Sequence, residues 1–155
     1  MMLPLGDKDF LFLRKITKIT LALLAMELVT GIISIFTLKS PPNTICRTRG
    51  FANTLSYVFS ANSISLLLHA ILGITLISSS VYLALTSIRF GLIFSILSFM
   101  ALVSQIGAVA VGLFMVDVYF HNITFSLVML AAALLSTVLY SLMIFVARNY
   151  KRLNL

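Results

Sequence analysis

"GLIFSILSFMALVSQIGAVAVGLFMV", residues Gly91–Val116, contains no ionisable side chain. A helix needs roughly 20 residues, at about 1.5 Å each, to cross about 30 Å of hydrocarbon, and this run is longer. Backbone groups in hydrocarbon must bond within the chain, so the segment is expected to be helical. Three further stretches read the same way, at about 16–38, 61–86 and 121–147. The chain has 155 residues, 61% of them hydrophobic and 10% charged, with a mean hydropathy of +1.13. Soluble domains are nearer half apolar and a quarter charged, and a chain this short cannot hide such an excess from water. The expected fold is all-α: a single membrane domain over 1–155, a four-helix transmembrane bundle running up-down-up-down, with one sizeable outer loop at 39–60.

The basic residues set the expected orientation. Lys8, Arg14, Lys15, Lys18, Arg89, Arg148, Lys151 and Arg152 fall on one side of such a bundle, and Lys39, Arg47 and Arg49 on the other. Eight against three places both termini in the cytoplasm by the positive-inside rule. The net charge of +7 then reads as a topology signal with anionic-lipid contact. These charges are scattered over span ends, which gives a nucleic-acid role no support. The first apolar run has full span length and no small-x-small site follows in "SIFTLKSPPN", so span one is expected to stay as an anchor rather than be cleaved. Residues 1–15 read as a short polar arm. Cys46 is the only cysteine and is expected to be an ordinary free thiol on the outer side. Tyr57 and Tyr119 suit the headgroup level, and the "NIT" sequon at Asn122–Thr124 lies too close to the membrane to count as a glycosylation site.

Along span three, Ser104, Ala108 and Gly112 recur at four-residue spacing, and Ala132 and Ser136 do so on span four. Small residues at that spacing let helices approach closely. Bundle packing is the expected role, with self-association as the alternative.

Ionisable groups in hydrocarbon are costly and normally face the bundle interior, which makes each one a candidate for function. Glu27, in "LLAMELVTGI", lies roughly 15 Å along the helix from Thr17. Gly31 is one turn on, on the same face. A carboxyl at that depth is expected to relay protons, to face a quinone, or to bond a neighbouring helix. His69, in "SLLLHAILGI", lies about 12 Å below the outer edge. Gly73 is its i+4 neighbour, with Leu76 and Ser80 continuing that face. Two readings stay open there. The bare surface at Gly73 would admit a porphyrin ligated by His69, or the imidazole bonds Glu27 at a similar depth. His121 opens span four in "YFHNITFSLVM" and either faces water or supplies a second axial ligand to a tilted haem. If it turns outward, Met129 is the next axial candidate on that helix. No Cys/His cluster suggests zinc, no Gly-rich loop suggests nucleotide phosphates, and no Ser/His/Asp set is present, so hydrolase and kinase readings are set aside.

"LLLHAILGI" with His69 and "YFHNITFSLVM" with His121 resemble small four-helix haem-carrying membrane modules, of which one half of haem A synthase is an example. Such halves place one haem-ligating histidine on span two and another on span four. The resemblance covers the whole chain and implies a b-type haem with His69 and His121 as axial ligands to the iron. Leu66 and Ala70 stand where the Glu-x-x-His-Arg signature has Glu and Arg, and Cys46 stands alone where bacterial members often have a pair. Two functions therefore compete. One is a haem b protein of the cell membrane, a redox or haem-handling subunit near a respiratory complex. The other is a cofactor-free structural or assembly subunit of a larger membrane complex. A transporter is a weaker third, since four helices alone make a poor pathway.

Overall fold

A computed structural model describes residues 6–37, 64–118 and 123–153. They form four long helices: α1 (Asp7–Thr37), α2 (Ile64–Ser87), α3 (Leu92–Val118) and α4 (Ile123–Leu153). A 3-10 turn, Ile88–Phe90, joins α2 to α3, and no strand occurs among the described residues. Each helix holds a stretch long and apolar enough to cross a membrane: Lys8–Ser34, Leu67–Phe90, Leu92–Leu113 and Thr124–Tyr150. The outward faces are as apolar as the inward ones. Phe12, Ile19, Met26 and Ile33 recur every seven residues on α1, each about half exposed, and Val128, Leu135 and Leu142 repeat the pattern on α4. Helices that are apolar all round and unburied by protein belong in lipid. The chain is a multi-pass membrane protein.

The inward faces follow alternating steps of three and four residues, the spacing that keeps one seam turned toward a partner helix. On α1 the buried seam runs Phe10, Leu13, Thr17, Thr20 and Leu24; on α2 it runs Leu76, Ser80, Leu83 and Ser87. Phe94, Ser98, Ala101 and Gln105 form it on α3, and Ser136, Leu139, Met143 and Val146 on α4. α1 packs on α2 and α4, and α3 packs on the same two.

Hydrogen bonds between helices fix the register. Thr20 Oγ1 and Ser79 Oγ lie 2.7 Å apart across α1 and α2. Ser87 Oγ and Ser98 Oγ lie 2.6 Å apart across α2 and α3. One heptad further along both helices, Ser80 Oγ reaches Gln105 Oε1 at 2.6 Å. Between α3 and α4, Ser104 Oγ donates to the Ala132 carbonyl at 3.0 Å, and Ser136 Oγ lies 3.4 Å from the Ala101 carbonyl. Hydroxyls at these seams are small enough for close approach and can bond across it. Most also bond back to their own helix, as Thr17 does to the Leu13 carbonyl at 2.8 Å, which satisfies those hydroxyl protons within the chain.

One end of the bundle is closed by four aromatic rings. Phe10 stacks on Tyr150 with centroids 4.4 Å apart and meets Phe90 edge-on at 5.4 Å. Phe94 completes the group, 6.0 Å from Phe10 and 6.1 Å from Tyr150. These contacts join the start of α1, the 3-10 turn, the start of α3 and the end of α4. Gly91 makes the turn possible: its φ of 108° is a conformation that side-chain-bearing residues rarely adopt. The same contacts account for a difference from expectation. Residues 1–15 read as a polar arm, yet α1 begins at Asp7. The Asp9 carboxylate accepts from the Gly6 N–H at 2.8 Å, satisfying an N-terminal donor of the helix, and Phe10 then has rings to pack against.

Candidate functional site

The polar groups singled out within the membrane meet between α1 and α2. Glu27 and Gly31 continue the α1 seam beyond Leu24, and His69 and Gly73 continue the α2 seam beyond Leu76. Glu27 Oε1 and His69 Nδ1 lie 3.2 Å apart, with side chains 18% and 34% exposed respectively. Each helix offers a glycine to the other's polar residue. A Cβ on Gly73 would sit 2.9 Å from Glu27 Oε1, and one on Gly31 would sit 3.0 Å from His69 Cε1. The carboxyl lies against bare backbone of α2 and the imidazole against bare backbone of α1. The depth match expected from counting residues holds. At Gly73, whose bare surface was expected to admit a porphyrin or leave room for the pair, the neighbour is Glu27.

Thr30 Oγ1 stands 3.5 Å from His69 Nδ1. Its hydroxyl proton serves the Met26 and Glu27 carbonyls at 3.1 and 3.0 Å, which leaves the Glu27 carboxyl as the closer partner of the ring. With Nδ1–H donating to Oε1, the ring is held in one tautomer and its other nitrogen, Nε2, is an acceptor. No hydrogen bond among the described residues reaches Nε2. The second carboxyl oxygen, Glu27 Oε2, is buried and has no partner.

The small-residue stripe lies elsewhere, between α3 and α4. Ser104 bonds α4 as described above, and a Cβ on Gly112 would come within 3.2 Å of Met129 Sδ. Ala108 lies between them on the seam, half-buried. The stripe is therefore taken up in packing α3 against α4 of the same chain. Met129, the alternative axial candidate, rests its sulfur on Gly112. His121, Cys46, Tyr57, Tyr119, Asn122 and the outer loop at 39–60 lie outside the described residues. No group of three or more His, Cys, Asp or Glu that could hold a metal ion occurs among the described residues.

A second polar centre went unread in the sequence. Ser80, Gln105 and Tyr140, from three helices, form a closed ring of hydrogen bonds. Gln105 Nε2 donates to Tyr140 Oη at 3.1 Å, Tyr140 donates to Ser80 Oγ at 2.9 Å, and Ser80 reaches Gln105 Oε1 at 2.6 Å. The Ser80 hydroxyl also lies 2.8 Å from the Leu76 carbonyl, so its one proton is shared between two acceptors. All three residues are buried. The signal was present: Gln105 stands seven residues from both Ser98 and Gly112, on the heptad seam of an otherwise apolar run.

No protein-family model matches the chain, and neither a curated protein nor a solved structure is similar to it.

Proposed function

We propose that the protein is a cofactor-free, multi-pass protein of the cell membrane that serves as a structural or assembly subunit of a larger membrane complex. The observation that carries this reading is the mutual closure of Glu27 and His69 over Gly73 and Gly31. The carboxyl occupies the surface beside Gly73, and the pair joins α1 to α2 as the hydroxyl contacts join the other helices. An acid and an imidazole that bond each other cost less in hydrocarbon than either does alone. Contacts along the helices support the up-down-up-down order: residue numbers rise on one helix as they fall on its neighbour, from Thr20–Ser79 to Gly31–His69 and from Ser87–Ser98 to Ser80–Gln105. The charge bias supports cytoplasmic termini. The work of such a subunit is done by its helices, whose outward apolar faces meet lipid or the helices of a larger assembly.

One observation favours the second reading, a b-type haem. Histidines that bind metals commonly donate one ring N–H to a carboxylate and ligate through the other nitrogen, and Glu27 leaves His69 Nε2 free in that way. An absorption spectrum separates the two. Protein purified in mild detergent from cells supplied with haem is expected to be colourless and to migrate with a larger assembly. A Soret band lost in His69→Ala would overturn the cofactor-free reading in favour of haem.

A further inference from the structure

We propose that the Glu27–His69 pair is also a binding site for a lipophilic ammonium ion, an organic amine whose charged end bonds Glu27 while its apolar body lies in the membrane. This goes beyond the structural role above. It starts from a count of donors and acceptors. With Nδ1–H donating, the pair uses one donor and one acceptor, Oε1. Glu27 Oε2 is buried without a partner, and in that tautomer His69 Nε2 is a second acceptor, reached by no hydrogen bond among the described residues. The pair itself then keeps no spare donor. A ligand that completes this site must bring N–H or O–H groups, which sets aside a quinone, since its carbonyls only accept.

Charge narrows the choice. A buried carboxylate oxygen without a counter-charge is costly in hydrocarbon, and a charge-assisted bond is the strongest way to satisfy it. A bare metal ion is a poor occupant, because hard cations take about six oxygen ligands and the site offers few. A primary ammonium carries three N–H donors and asks for no coordination sphere.

The bundle is also less closed at this level. Counting in heptads, Ser87–Ser98 and Ser80–Gln105 are successive layers between α2 and α3. The next layer of that register sets Gly73 opposite Gly112, with Glu27 against the first and Met129 against the second. The two earlier layers are sealed, their four residues at most 4% exposed. In the glycine layer Glu27, Gly73, Gly112 and Met129 are all only half-buried. Leu24 and Leu76, each 4% exposed, close off the inner side.

The test uses the whole protein in nanodiscs of zwitterionic lipid, with three probes of one chain length: decylammonium, decanol and decyltrimethylammonium. Saturable binding by calorimetry and a raised thermal midpoint are expected with decylammonium alone, the trimethyl probe lacking N–H donors and decanol lacking charge. Glu27→Gln is expected to weaken that binding at least tenfold. An equal response to decanol, or no saturable binding of decylammonium by the unaltered protein, overturns the proposal, as does unchanged affinity in Glu27→Gln. The three probes act on the unaltered chain, so the result stands even if the variant fails to fold. A colourless preparation leaves this outcome open, and failure here leaves the structural reading intact.

Discussion

Gly73 and Gly112 are chemically identical and meet different neighbours. At Gly73 a methyl group would press within 2.9 Å of a carboxyl oxygen that is itself held by His69. At Gly112 it would press on the thioether of Met129 at 3.2 Å, and methionine re-packs readily. Gly73→Ala is therefore expected to destabilise the protein by about 1–3 kcal/mol, in the range of overpacked cores, and to break the Glu27–His69 contact. Gly112→Ala is expected to cost under about 1 kcal/mol. Denaturant titration in detergent compares the two, and equal costs would mean that the Gly73 approach is not tight. Composition made it plain that Glu27 and His69 are immersed in hydrocarbon, and counting residues along two helices brought them to one depth. The same counting left the occupant of the space at Gly73 open between a porphyrin and a side chain, because a bare helix face says only that something approaches.

At the scale of elements, each helix carries two apolar faces of different kinds, one toward lipid and one on a seam broken by small polar groups. Hydropathy reads their sum, which is why four helices long and apolar enough to cross a membrane were legible. It does not read where amphipathic ends continue a helix, and α1 starts at Asp7 because Phe10 finds Phe90, Phe94 and Tyr150. Nor did it mark Gln105, whose role depends on Tyr140 of another helix. The Ser80–Gln105–Tyr140 ring gives the register of α2, α3 and α4 its most specific contact. Tyr140→Phe removes one donor and one acceptor from it and is expected to cost about 0.6–1.7 kcal/mol, the range of single interhelical hydrogen bonds in membranes. Ser80→Ala added to Tyr140→Phe is expected to cost less than the sum of the two alone, since each opens the same ring. Strict additivity would mean that the three groups do not act together.

For the whole molecule, the bundle divides along its length. An aromatic group closes one end, two sealed polar layers follow, and beyond Leu24 and Leu76 comes a half-open layer in which an acid and an imidazole face each other over glycine. The α1–α2 half of that layer is joined by Glu27 and His69, while the α3–α4 half is joined by Met129 on Gly112. A bundle organised in this way depends on the pair as a unit and not on two separate polar residues. A double-mutant cycle of Glu27→Ala, His69→Ala and the double variant, read by reversible unfolding in detergent, tests this most directly. A coupling of about 1–3 kcal/mol is expected, as for residues in contact within one polar network. Additive effects, within about 0.5 kcal/mol, would contradict the account.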